Sequence, residues 1–130
     1  MQADLQAAVK GYMAQNELTP PFTVTSDGSK DISCGKGKAR RVYTTMQRRT
    51  GKGVTDPGFM LGEVESLAGF LDQSKVYVPG SRTEKDQGPV TVSEKATSSR
   101  HHARALITGK ADSGAFVLVL ESTTDCLRTS

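Results

Sequence analysis

Tryptophan is absent from this 130-residue chain, and three tyrosines and four phenylalanines are its only aromatic residues. A protein that stacks bases or sugar rings needs several aromatic planes on one surface, so this composition argues against such roles. No apolar run reaches the roughly 18 residues that would suggest a membrane-spanning helix. No basic-then-apolar leader opens the chain, because MQADLQAAV mixes Gln and Asp among its alanines. Either the protein is cytosolic, or Met1 is an added initiator ahead of a mature exported chain that starts at Gln2. The 14 threonines and 12 serines, many at strand-like positions, tip the expectation toward a secreted or periplasmic location.

Cysteine is scarce too, with Cys34 and Cys126 alone. If they pair, they close a loop about as long as the whole domain, and the chain-entropy account assigns that closure roughly 4 to 5 kcal/mol. If they do not, each is a small core or surface thiol. Structural zinc normally requires two closely spaced ligand pairs, which are missing, so no metal is expected. Gly35-Lys36-Gly37-Lys38 and Gly51-Lys52-Gly53 lack the spacing of a phosphate-cradling loop, and Arg40 stands where a dinucleotide fingerprint requires its third glycine. These read as turns, and no cofactor is implied. No nucleophile elbow occurs. Cys34 among lysines is the one plausible activated thiol. Glu63 and Glu65 point to different faces of a helix and make a poor acid/base pair. His101 and His102, read as strand residues, would point to opposite faces of a sheet.

What the chain does contain is an uneven charge. Between residues 30 and 52 there are eight Lys and Arg against Asp31 alone, while the remainder is acidic overall, although the net charge is only +3. Such asymmetry points to an anionic partner or to a well-solvated face. Lys36, Lys38, Arg40, Arg41, Arg48, Arg49 and Lys52 are therefore the candidate polyanion-binding residues. Their context is ambiguous. As a strand, the stretch sets Val42, Thr44 and Met46 on one face and Arg41, Tyr43, Thr45 and Gln47 on the other; as a helix, it aligns Ala39, Val42, Tyr43 and Met46. The β-prone Val-Tyr-Thr-Thr quartet favours the strand.

The remaining elements follow from periodicity. Residues 3–16 place Leu5, Ala8, Val9, Tyr12 and Met13 at helical spacing, with Asn16 and Pro20-Pro21 ending the helix. Residues 22–32 alternate, break at Asp27-Gly28 and resume, the pattern of a hairpin. Asp56 as cap and Pro57 at the first helical position open a second helix, whose stripe is Met60, Leu61, Val64, Leu67, Ala68 and Leu71. Strands are expected at 75–78, 89–95, 102–108 and 115–122, with an exposed loop at 79–88 and a hairpin loop at 109–114. Phe116 to Leu120 is apolar on both faces and suits a central strand.

Helices collected beside a run of antiparallel strands define an α+β fold: one domain over 1–130, with the N-terminal and the central helix packed on one face of the sheet. The function expected is a small non-enzymatic binding or assembly module, with a protein partner or self-association ahead of a small molecule. The alternative is a cytoplasmic nucleic-acid-binding domain that uses segment 36–52. A histidine-based hydrolase or nuclease comes third.

Overall fold

A computed structural model describes residues 2–15, 21–73, 77–85 and 91–128. The elements run α1 (Gln2–Gln15), β1 (Thr23–Asp27), β2 (Ile32–Gly35), β3 (Lys38–Arg40), β4 (Val42–Arg49), α2 (Pro57–Gln73), β5 (Val78–Lys85), β6 (Thr91–Ser98), β7 (Ala103–Asp112), β8 (Ala115–Thr124) and β9 (Leu127–Arg128). The fold is α+β. A six-stranded antiparallel sheet in the order β1-β4-β8-β7-β6-β5 carries both helices on one face, and a three-stranded sheet, β2-β3-β9, lies beside it.

Both helices form where the apolar spacing puts them. In α1, Leu5, Ala8 and Tyr12 fall on one face and are buried. The terminators Asn16 and Pro20 lie outside the described residues. The carbonyl of Asp56 accepts the N–H of Met60 at 3.0 Å, the first intrahelical bond of α2, so Asp56 is the N-cap and Pro57 the first helical residue, where its missing N–H costs nothing. Met60, Val64, Leu67 and Leu71 bury the stripe, with Leu61 and Ala68 partly buried beside it.

Strand β8 is interior to the sheet, hydrogen-bonded to β4 on one side and β7 on the other. Phe116, Leu118 and Leu120 join the core beneath the helices. On the opposite face Val117 is also buried, although no helix lies there; its cross-strand neighbours are Arg48 and Lys110, whose aliphatic stems flank it. Core burial on β7 follows the same alternation through Ala103, Ala105 and Ile107.

Several expected connections differ. The basic stretch is strand rather than helix, interrupted at Arg41 into β3 and β4. The hairpin expected over 22–32 does not form: β1 pairs with β4, and β2 pairs with β3. Asp27 does make a turn, accepting the Ser29 N–H on its carboxylate at 2.9 Å, but that turn redirects the chain instead of folding it back. The tight hairpin is Lys36-Gly37, where Gly37 at φ 69° supplies the left-handed residue between Gly35 and Lys38.

Residues 79–85, expected as an exposed loop, are the body of β5, with 86–88 outside the described residues. A strand at the sheet edge has one unpaired side, so proline and charged residues suit it, and composition alone reads as loop. Of the strand expected at 75–78, Lys75 and Val76 are outside the described residues, Tyr77 precedes the strand and Val78 begins it. Residues 89 and 90 of the strand expected at 89–95 are likewise outside. The loop expected at 109–114 shrinks to Ser113-Gly114, both at positive φ, with Asp112 and Ala115 already paired. His101 and His102 lie in the β6–β7 turn, not on a strand.

Candidate functional site

Strand β4 sorts its cations by face. Tyr43, Thr45, Gln47 and Arg49 point under the helices, while Val42, Thr44, Met46 and Arg48 face the open side, so it is the more polar face that was drawn inward. Arg49 is largely buried. It pairs with Glu63 of α2 at 3.4 Å, donates to the Tyr12 hydroxyl of α1 at 3.3 Å, and lies 5.1 Å over the Phe59 ring. Tyr12 in turn donates to Glu63. Burial first, and then the Glu63 carboxylate, hold the Tyr12 phenol well above its ordinary range. This cluster joins α1, α2 and β4 across the protein interior, and Arg49 is not presented to a polyanion.

Two further candidates carry acidic neighbours. Arg41 pairs with Asp31 at 3.0 Å, and Arg48 with Asp112 at 3.1 Å; both pairs are about half exposed and contribute little to stability. Lys36 lies in the β2–β3 turn, Lys38 and Arg40 at the ends of β3, and Lys52 in the turn before α2; all four are exposed, and no ion pair among the described residues reaches them. The structure therefore separates the seven candidates among two sheets, the break between β3 and β4, and two turns.

It brings three cations together instead, two of them from outside the basic stretch. Arg40 of β3, Lys95 of β6 and Arg104 of β7 line one groove of about 360 Å³ on the open face of the large sheet. Register explains the convergence. Lys95, Leu106 and Glu121 stand side by side across β6, β7 and β8, and the next row reads Thr97, Arg104, Thr123. Arg40 arrives from the small sheet. There Arg41 marks the break between β4 and β3: its carbonyl accepts the Thr124 N–H at 2.9 Å, and its N–H donates to Thr124 Oγ1 at 2.8 Å. Beyond this clamp β3 and β9 pair as a short continuation of β4 and β8.

The groove also holds Thr97, Thr123 and the side of Leu106, with Glu121 as its carboxylate. Glu121 is half-buried and accepts the Thr44 hydroxyl at 3.1 Å. Three cations face this one acid, and no ion pair among the described residues involves Arg40, Lys95 or Arg104. Unneutralised guanidinium and ammonium groups beside threonine hydroxyls suit a carboxylate or phosphate. Sequence reading missed Lys95 and Arg104 because both lie outside the basic stretch, on strands without a run of cations. The signal was present only in the pairing, since a turn at 99–102 sets 95 against 106 and 97 against 104.

The other sequence candidates have structural occupations. Cys34 and Cys126 form a disulfide with their Cα atoms 6.0 Å apart, so neither sulfur is a thiolate for metal or catalysis. His101 Nε2 lies 2.7 Å from Asp4 Oδ2 at the start of α1, and His102 is exposed at φ 49°. Glu63 belongs to the Tyr12 cluster and Glu65 to a separate hollow on α2. No helix of the described residues is long and apolar enough to cross a membrane. Compared with known proteins, the chain matches no family model and no curated sequence.

Proposed function

We propose that the protein is a non-enzymatic binding module that works after export and docks an acidic segment of a protein partner on the open face of its sheet. The carrying observation is the convergence of Arg40, Lys95 and Arg104 in one groove without acidic partners among the described residues. Met46, Val119 and Leu106 sit beside it on the same face, half-exposed. Cations next to aliphatic side chains suit a peptide that mixes carboxylates with apolar residues. All three tyrosines are buried, so none supplies a stacking plane to nucleic acid. The Cys34–Cys126 disulfide favours an oxidising compartment.

Nucleic acid is the second reading, favoured by the exposed run Lys36, Lys38 and Arg40 on the hairpin next to the groove. One titration separates them, using a labelled peptide that alternates Glu with Leu and a mixed-sequence oligonucleotide of similar charge. The peptide is expected to bind, and the Arg40→Ala, Lys95→Ala, Arg104→Ala triple variant to lose that binding while Arg41→Ala and Lys52→Ala keep it. Preference for the oligonucleotide, with a steep loss of affinity as salt rises, would replace the protein partner with a nucleic acid. Equal peptide binding by the triple variant would remove the groove from the function.

A further inference from the structure

The Cys34–Cys126 disulfide belongs to the small sheet, the one that delivers Arg40 to the groove. There β2 and β9 flank β3, and the bridge ties β2 to the residue ahead of β9. Among the described residues, the pairs that hold β9 to β3 are Lys38 with Arg128 and Ala39 with Leu127, so one of the two sets like charges opposite each other. Leu127 and Arg128 are both exposed. The chain before them is anchored at Asp125, whose N–H donates to the His102 carbonyl at 2.6 Å. Between the Arg41–Thr124 clamp and the Ala39–Leu127 pair, Arg40 alone stands opposite Asp125 and Cys126, the two-against-one count of a bulge. The bridge thus secures the stretch of backbone from which Arg40 reaches the groove.

We infer that this disulfide is a redox clamp on the docking groove proposed above, on which reading it rests, and that a small thiol carrying a carboxylate opens it at Cys126. Cys126 is exposed and Cys34 half-buried, so the incoming thiolate meets the Cys126 sulfur first. It bonds to that sulfur, the Cys34–Cys126 bond breaks, and the electron pair of that bond leaves on Cys34 as a thiolate. One disulfide replaces another, with no net oxidation. Charge favours both ends of the step. Lys36, two residues from Cys34, and the opposed Lys38 and Arg128 outnumber the Asp125 carboxylate next to Cys126, an excess that draws an anionic thiol. The Lys38 stem passes beside Gly35, its Cδ 3.7 Å from where a Cβ there would stand, and cations near a cysteine stabilise its thiolate. Once the bridge is open, the like charges of Lys38 and Arg128 part β9 from β3, and the carboxylate of the attached thiol competes for Arg40 with the partner's acids.

The test treats oxidised protein with 3-mercaptopropionate or the neutral 2-mercaptoethanol, traps with iodoacetamide and maps the products by mass. The thiol is expected on Cys126 and the alkyl group on Cys34, with the anionic thiol about threefold faster per thiolate and the advantage lost at about 1 M salt. The Glu-Leu peptide then reads the clamp. Protein opened by the neutral thiol and alkylated should bind it about tenfold more weakly, at the level of oxidised Arg40→Ala, and opening Arg40→Ala should weaken it no further. If oxidised protein does not bind the peptide at all, the groove reading fails, and amide NMR decides the clamp by itself. On opening, the shifts of β3 and β9 should move toward those of unfolded chain while β6 and β7 keep theirs. Attack at Cys34, peptide affinity unchanged by opening, unmoved β3 and β9 shifts, or collapse of all four strands together would overturn the clamp.

Discussion

At the scale of single residues, the three tyrosines share one fate that composition did not announce. Tyr12, Tyr43 and Tyr77 are each at most 1% exposed, and burial is the leading cause raising all three phenols above the ordinary value of 10.0. A folded pKa above the unfolded one means that the stability contributed is fully present below pH 10 and is lost as pH rises toward the folded values. In an alkaline titration followed by tyrosinate absorbance, no tyrosine should ionise freely near its ordinary pKa. All three should instead appear together, coincident with loss of helical circular dichroism. A tyrosine that titrates reversibly near 10 in folded protein would show that its burial is not maintained. Arg49 teaches the same lesson from the other side: it belonged with the basic stretch by sequence, yet its position on β4 placed it under Glu63 and Tyr12.

At the scale of elements, glycine marks where the two helices touch and where they do not. A Cβ on Gly11 of α1 would come within 2.6 Å of the Phe70 ring of α2, so a methyl group there must push the helices apart or turn the ring. Gly69 faces open space and only weakens its helix. Gly11→Ala should therefore lower stability by ~1 to 3 kcal/mol, and Gly69→Ala should raise it by up to ~1 kcal/mol, both read from denaturant midpoints at unchanged slope. Equal gains from the two would mean that α1 and α2 do not approach as closely as described. The helices were legible in advance because their stripes are long and capped. The β1–β2 hairpin misled because alternation says which residues share a face, not which strand lies alongside, and the Asp27 turn satisfies its local hydrogen bond in either path.

For the whole molecule, the disulfide links β2 to the segment ahead of β9, 92 residues later, and so closes a covalent loop that holds β4, α2 and β5 to β8 but leaves the core residues of α1 outside it. It lies in the small sheet, apart from the core side chains beneath the helices, and Cys126 is exposed. Reduction should leave the fold in place and lower the thermal midpoint by no more than ~15 to 20 °C, the range corresponding to about 4 to 5 kcal/mol for a domain of this size. Collapse of circular dichroism on reduction at room temperature would show instead that the small sheet is required for folding. By itself the sequence determined the two helices, the interior place of the strand that carries Phe116 to Leu120 and the α+β class, because hydrophobic spacing is a local property that any packing must respect. Only the tertiary structure decided that Cys34 meets Cys126, that Arg49 is buried, and that Arg40, Lys95 and Arg104 share a groove. Those relations depend on strand order and register, which arise from contacts between residues far apart in the chain and leave no periodic trace within any one segment.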